Sequence, residues 1–121
     1  MLCPDLSADA DPYTGYLEYF FAFAGNHVQA GMGGTSFVAA QLNGSAAVID
    51  SYLGRRVGFW NQAIYRFALS NNSPFTALNA SGAGNDNLYF TGTGGALYNA
   101  ATGLGVPNLA KLAADFARTG W

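Results

Sequence analysis

The stretch "QAGMGGTSFVAAQLNG", residues 29–44, decides how the chain is read. Gly31, Gly33 and Gly34 lead into Thr35 and Ser36, and an apolar run follows at once. Glycine reaches backbone angles that other residues avoid and lets another backbone or a ligand come close. Ser and Thr are favoured helix N-caps. The junction therefore predicts a helix that starts at Ser36. Phe37, Val38, Ala40, Leu42, Ala46, Ala47, Ile49, Tyr52 and Leu53 leave it little polar face, the pattern of a buried helix. Gly54 is the expected stop, and Gly44 inside the run costs about 1 kcal/mol unless close packing requires it. Two readings of Ser36 follow. It is a simple cap, or it is a nucleophile placed where unpaired N–H groups and the helix dipole stabilise an oxyanion.

Upstream, "PDLSADADPYTGY" (4–16) is rich in Asp, Pro, Thr and Gly, which favour turns. "YLEYFFAFAG" (16–25) has the apolar density of a buried strand. Asn26 and His27 read as a turn, and "VQAG" (28–31) as a short strand into the glycines. Downstream, "FWNQAIYRFAL" (59–69) predicts a second helix with Asn61 as its N-cap. Residues 70–105 are rich in Asn, Ser, Thr and Gly and predict a long irregular segment with strand near "NLYFTG" (87–92). A loop of that length usually serves a function or holds an ion. "VPNLAKLAADFA" (106–117) predicts a third helix, begun by Pro107 or Asn108. No internal repeat and no domain boundary is evident, so residues 1–121 read as one unit.

The 121 residues suffice for one modest domain. Half are hydrophobic and 15% are aromatic, enough for a core, while only 10% are charged, against roughly 25% in an ordinary soluble domain. So light a charge fits a surface kept soluble by Asn, Ser, Thr and Gly, work in acid, or a face covered by something outside this chain. The net charge of -2, with Arg55-Arg56 the one adjacent basic pair, argues against nucleic acid, which needs clustered Lys and Arg. No run approaches the ~18 apolar residues of a membrane span, and the first residues lack the basic-then-apolar pattern of a signal peptide. Cys3 is the sole cysteine, so no internal disulfide forms.

Other chemistry is thinly represented. His27 could join Ser36 in a Ser-His-Asp arrangement, but nothing in the sequence positions it. Asp5, Asp9 and Asp11 are flanked by Pro4 and Pro12 and lack the rest of a calcium loop, so they read as turn residues. The glycines before Thr35 lack the Lys of a phosphate-binding loop.

Three stretches, in order, resemble one known family. "GGTSFVAAQLNG" resembles the nucleophile motif of the sedolisins, the serine-carboxyl peptidases: Gly-Thr-Ser, three residues, then Pro. "PDLSADADPYTGY" is similar to their "PDVSA-ADP-TGY" segment, and "YNAATGLGVPNLAKL" to their terminal "WD-TGLGTPN" segment. The resemblance spans nearly the whole chain. It implies an α/β, subtilisin-like fold, here incomplete: the C-terminal portion of a catalytic domain with its nucleophile helix. It implies Ser36 as the catalytic serine, Gly33, Gly34 and Thr35 at the substrate, a peptide or protein as substrate, and a secreted parent protein active in acid.

Three departures qualify what the resemblance implies. Ala40 replaces the motif proline. Tyr98-Asn99 stands for Trp-Asp, and Ala77-Leu78 for an upstream Asp-Ile, so both family calcium carboxylates are missing. Calcium prefers such hard oxygens. Asp86 and Asn99 with loop carbonyls would make only a weak site, and no cofactor is expected. Finally, the family's Glu and Asp, spaced E-x-x-x-D, are absent: Glu18 is the only glutamate and residue 22 is Ala. A carboxylate base stays partly ionised near pH 4, which is why it suits acid. Without one, a serine hydroxyl is a weak nucleophile. The isolated chain is therefore expected to be inactive. Its base would come from a chain supplying the N-terminal part of the domain, as in a split peptidase. Alternatively, the chain is a non-catalytic binding or assembly module on the same scaffold.

Overall fold

The computed structural model describes residues 4–22, 25–79 and 92–121. In chain order they form strands β1 (Tyr16–Ala22) and β2 (Gly25–Met32), then helices α1 (Thr35–Leu53) and α2 (Asn61–Ala68). Two short strands, β3 (Phe75–Thr76) and β4 (Val106–Pro107), precede helix α3 (Leu109–Thr119). β1 pairs with β2 and β3 with β4, both antiparallel. This mixture of helices and small sheets is compatible with a small α/β fold. None of the described helices is long and apolar enough to cross a membrane. The strand expected near residues 87–92 falls mostly outside the described residues, as do Cys3 and Asp86.

The chain packs as two compact units. Asp9–Gly44 form one, and Met1–Ala8 with Ser45–Trp121 form the other. The division falls inside α1, at Gly44. A Cβ at Gly44 would meet nothing, so close packing is not what places glycine there.

In the first unit, the β1–β2 ladder runs from Tyr16 opposite Met32 to Ala22 opposite Gly25, with an irregularity between Tyr16 and Glu18. Asn26 and His27, expected as a turn, are ladder residues opposite Phe21 and Phe20. Pairing that reaches Gly25 leaves them no role as a bend. The strand expected to be buried is open at its described apolar side chains: Leu17, Tyr19 and Tyr19's cross-strand partner Val28 are exposed. A two-stranded ribbon has too few neighbours to cover both faces.

α1 also departs from the expectation of burial. Ile49 is its one buried residue, while Val48 and Tyr52 are 69% and 74% exposed. Its range agrees with the apolar run, and Gly54 ends it at a positive φ of 65°, a conformation that favours glycine.

The second unit holds the core: Ile49, Ala63, Ile64, Phe67, Ala68, Leu104, Leu112 and Phe116. α2 contributes Ala63, Ile64, Phe67 and Ala68 at helical spacing, and α3 contributes Leu112 and Phe116. The Phe116 ring is fully buried, edge-on to Phe67 at 5.1 Å and tilted against Trp60 at 5.3 Å. Such geometry adds to simple burial. α3 is capped at both ends. Asn108 Oδ1 accepts from the Lys111 N–H at 3.1 Å, and Gly120 takes the left-handed C-cap. Arg55 Nη2 donates to the Phe116 carbonyl at 3.1 Å, placing positive charge at the helix C-terminus. α2 starts differently from expectation. Trp60 holds the N-cap position without a side-chain cap bond, and the Asn61 amide donates instead to Asp5 Oδ2 at 2.9 Å.

Two stability outcomes follow and are read by denaturant unfolding. Phe116→Ala removes the most enclosed ring and should cost about 3–5 kcal/mol. Gly44→Ala, whose new methyl enters open space in ordinary helical backbone, should gain about 0.4–1 kcal/mol. A loss at Gly44→Ala would mean that position 44 is packed after all.

Candidate functional site

The turn before α1 is built on the segment 9–16. Asp9 Oδ1 accepts from the Asp11 N–H at 3.1 Å, and Asp11 Oδ1 accepts from the Tyr13 N–H at 3.0 Å. The Thr14 hydroxyl donates to Asp11 Oδ2 at 3.1 Å. Asp9 and Asp11 are thus turn residues, as their flanking prolines suggested. The Gly34 N–H donates to the Ala10 carbonyl at 2.7 Å. A Cβ at Gly33 would stand 2.6 Å from Pro12 N and 2.7 Å from Ala10 O, so only glycine fits. Gly34 has φ 114°, and a Cβ there would meet nothing.

α1 is fixed to the same segment by side chains. The Phe37 ring stacks on Tyr16 at 5.0 Å with 2° between planes. Gln41 Nε2 donates to the Tyr16 hydroxyl at 2.6 Å, and that hydroxyl donates to Asp9 O at 2.9 Å. The helix start is therefore aimed by three residues, Tyr16, Phe37 and Gln41, that a motif reading does not single out. Aromatic and amide side chains one turn apart on a helix were the available signal.

Thr35 and Ser36 are exposed. The Phe37 N–H is returned to Gly34 O at 3.0 Å. Those of Thr35 and Ser36 have no partner among the described residues, which leaves donors at the positive end of the helix. Nor does the Ser36 hydroxyl hydrogen-bond any described side chain. Chemically, the site is an accessible hydroxyl beside N–H donors and an open glycine, with no base attached to it among the described residues. The Cβ direction of Gly33 faces the Ala10–Pro12 backbone, whereas Gly34 and Thr35 are exposed beside Ser36. His27 sits on β2 opposite Phe20.

The other two motif stretches meet in the second unit. Ser7 N–H donates to Gly105 O at 2.9 Å, Leu104 N–H to Asp5 O at 2.9 Å, and the Ser7 hydroxyl to Thr102 O at 2.8 Å. Gly103 and Gly105 have positive φ, and their Cα atoms press on the backbones of Pro4–Asp5 and Thr76. Asp5, expected in a turn, lies at a bend and accepts from Asn61 and from the Tyr65 hydroxyl at 2.7 Å. Desolvation, then the hydrogen bond to Asp5, pushes the Tyr65 phenol up to about 12. Asn99, named as a weak calcium ligand, is 1% exposed and joined to Asn79. Among the described residues, no group of three or more His, Cys, Asp or Glu could hold a metal.

No protein-family model, curated protein or solved structure matches the chain.

Gly33→Ala should strain the close approach by about 1–3 kcal/mol. The direct readout is hydrogen exchange at the Gly34 amide, which should quicken while amides of α3 keep their protection. For Tyr65, the folded-state pKa lies above the unfolded value. Its contribution is therefore fully present below the unfolded phenol range and is lost as pH rises toward 12. In an absorbance titration, one of the seven tyrosines should ionise late, and Tyr65→Phe should delete that late phase.

Proposed function

We propose that the chain is the nucleophile-bearing C-terminal portion of a sedolisin-like serine peptidase, with subtilisin-like architecture in the complete domain. Ser36 attacks the peptide carbonyl and forms an acyl-enzyme, and water then releases the acyl group. The Ser36 N–H donates to the developing oxyanion. Gly34 and Thr35 border the substrate chain. The parent protein is secreted and works in acid, where a carboxylate base keeps part of its charge.

The observation that carries this reading is an exposed hydroxyl at the start of α1, beside unpaired N–H groups and a glycine turn held from behind. The simple cap expected at Ser36 does not fit its place, because α1 begins at Thr35 and Ser36 lies inside the first turn.

No described side chain bonds the Ser36 hydroxyl, which favours the split arrangement: the Glu and Asp residues reside on a second polypeptide. Exposed Leu17, Tyr19, Val28, Val48 and Tyr52 fit a chain that is covered by such a partner.

A fluorophosphonate probe tests this at about pH 4, where a carboxylate base retains charge. The chain is treated alone and after co-expression with the product of the adjacent upstream reading frame. Labelling of Ser36 in the mixture, absent from Ser36→Ala and much weaker in the chain alone, is the expected result. An absence of labelling in every mixture would make the chain a non-catalytic module.

A further inference from the structure

Asn79 and Asn99 are both buried, at 6% and 1% exposure, and their amides meet. The orientation of each amide follows from its backbone partner. The Ala96 carbonyl can only accept, so Asn79 presents Nδ2 to it, at 2.5 Å. The Ala101 N–H can only donate, so Asn99 presents Oδ1 to it, at 2.7 Å. The remaining atoms then match, and Asn99 Nδ2 donates to Asn79 Oδ1 at 2.9 Å. One directed chain of hydrogen bonds therefore runs from Ala101 N–H through Asn99 and Asn79 to Ala96 O.

The surrounding backbone is closed in the same way. Asn99 and Gly103 exchange N–H and C=O in both directions, at 2.8 and 2.7 Å. The Thr102 carbonyl accepts from Ser7 Oγ and from the Gly105 N–H. Gly92, at φ 78°, brings its Cα so close to both amides that a Cβ would collide with Asn79 Oδ1 and Asn99 Nδ2.

A calcium ion needs six to eight oxygens. The Nδ2 of Asn99 turns hydrogens, not oxygens, toward Asn79, and neither residue is a carboxylate. Thr102 Oγ1 is the buried side-chain oxygen left without a partner among the described residues, and one neutral hydroxyl does not make a calcium site. The described donors do not fit the ion that the sedolisin resemblance implies.

We propose that the Asn79–Asn99 amide pair clasps Asn79 to the segment 96–103, and that this clasp closes without a divalent cation. The pair itself stands on its hydrogen bonds; only the contrast with calcium rests on the family reading. Removing or mismatching one amide leaves buried partners unsatisfied, which costs more than the bond contributes when made.

Thermal melting of the whole chain tests the clasp. The wild type is melted in about 5 mM CaCl2, above the weakest common calcium affinities, and again in EDTA. The two melting temperatures should coincide. Asn99→Asp places a carboxylate oxygen against Asn79 Oδ1 and should melt about 5 °C lower or more, with no recovery in calcium. A wild-type melting temperature that rises in calcium, or an Asn99→Asp chain restored by calcium, overturns the proposal. If Asn99→Asp does not fold, the wild-type comparison decides alone. Neither outcome depends on Ser36 labelling, so this test and the peptidase test fail separately.

Discussion

No side chain can stand at position 33, because the backbone of Ala10 and Pro12 already fills that space. That exclusion sets the local geometry of the candidate site. With Gly33 pressed on the segment, Gly34 reaches the Ala10 carbonyl and turns through a positive φ. The chain then enters α1 with Thr35 and Ser36 facing outward. The stack of Phe37 on Tyr16 holds the first turn of the helix from the other side. The start of α1 is thus held through Gly33, Phe37 and Gln41, while Thr35 and Ser36 stay exposed.

The segment 4–16 does two separate jobs. Its second half forms Asx turns that receive the glycines of the first unit. Its first half lies in the second unit, where Asp5 and Ser7 bond the backbone of residues 102–105. Asp5 also takes hydrogen bonds from Asn61 and Tyr65 of α2. A charge kept among partners in this way is satisfied by donors and not by an ion pair. Each half of the segment therefore supports a different stretch, and each does so within its own unit.

On the proposed reading, this chain contributes geometry and a partner contributes the proton acceptor. The Asn79–Asn99 pair is held by directed hydrogen bonds between neutral amides, which suits a protein with so few charged residues. Bonds between neutral groups also keep their strength in acid, where carboxylates become protonated.

Sequence by itself determined what neighbours in the chain decide. The span of α1, its stop at Gly54, the Asn108 cap of α3 and the turn roles of Asp9 and Asp11 all follow from residues within one or two turns. Tertiary structure decided the rest. Asn61 gave up the expected cap for Asp5, fifty-six residues away. Asn26 and His27 joined a ladder whose register depends on the opposite strand. The apolar run of α1 did not imply burial, because burial depends on what packs against a helix and not on the helix alone. Asn79 and Asn99, ordinary loop residues in the sequence, became a matched pair only when folding brought two backbone groups of opposite polarity beside them. Local propensity acts over a few residues, whereas hydrogen-bond partners and buried faces are assigned by contacts between distant ones.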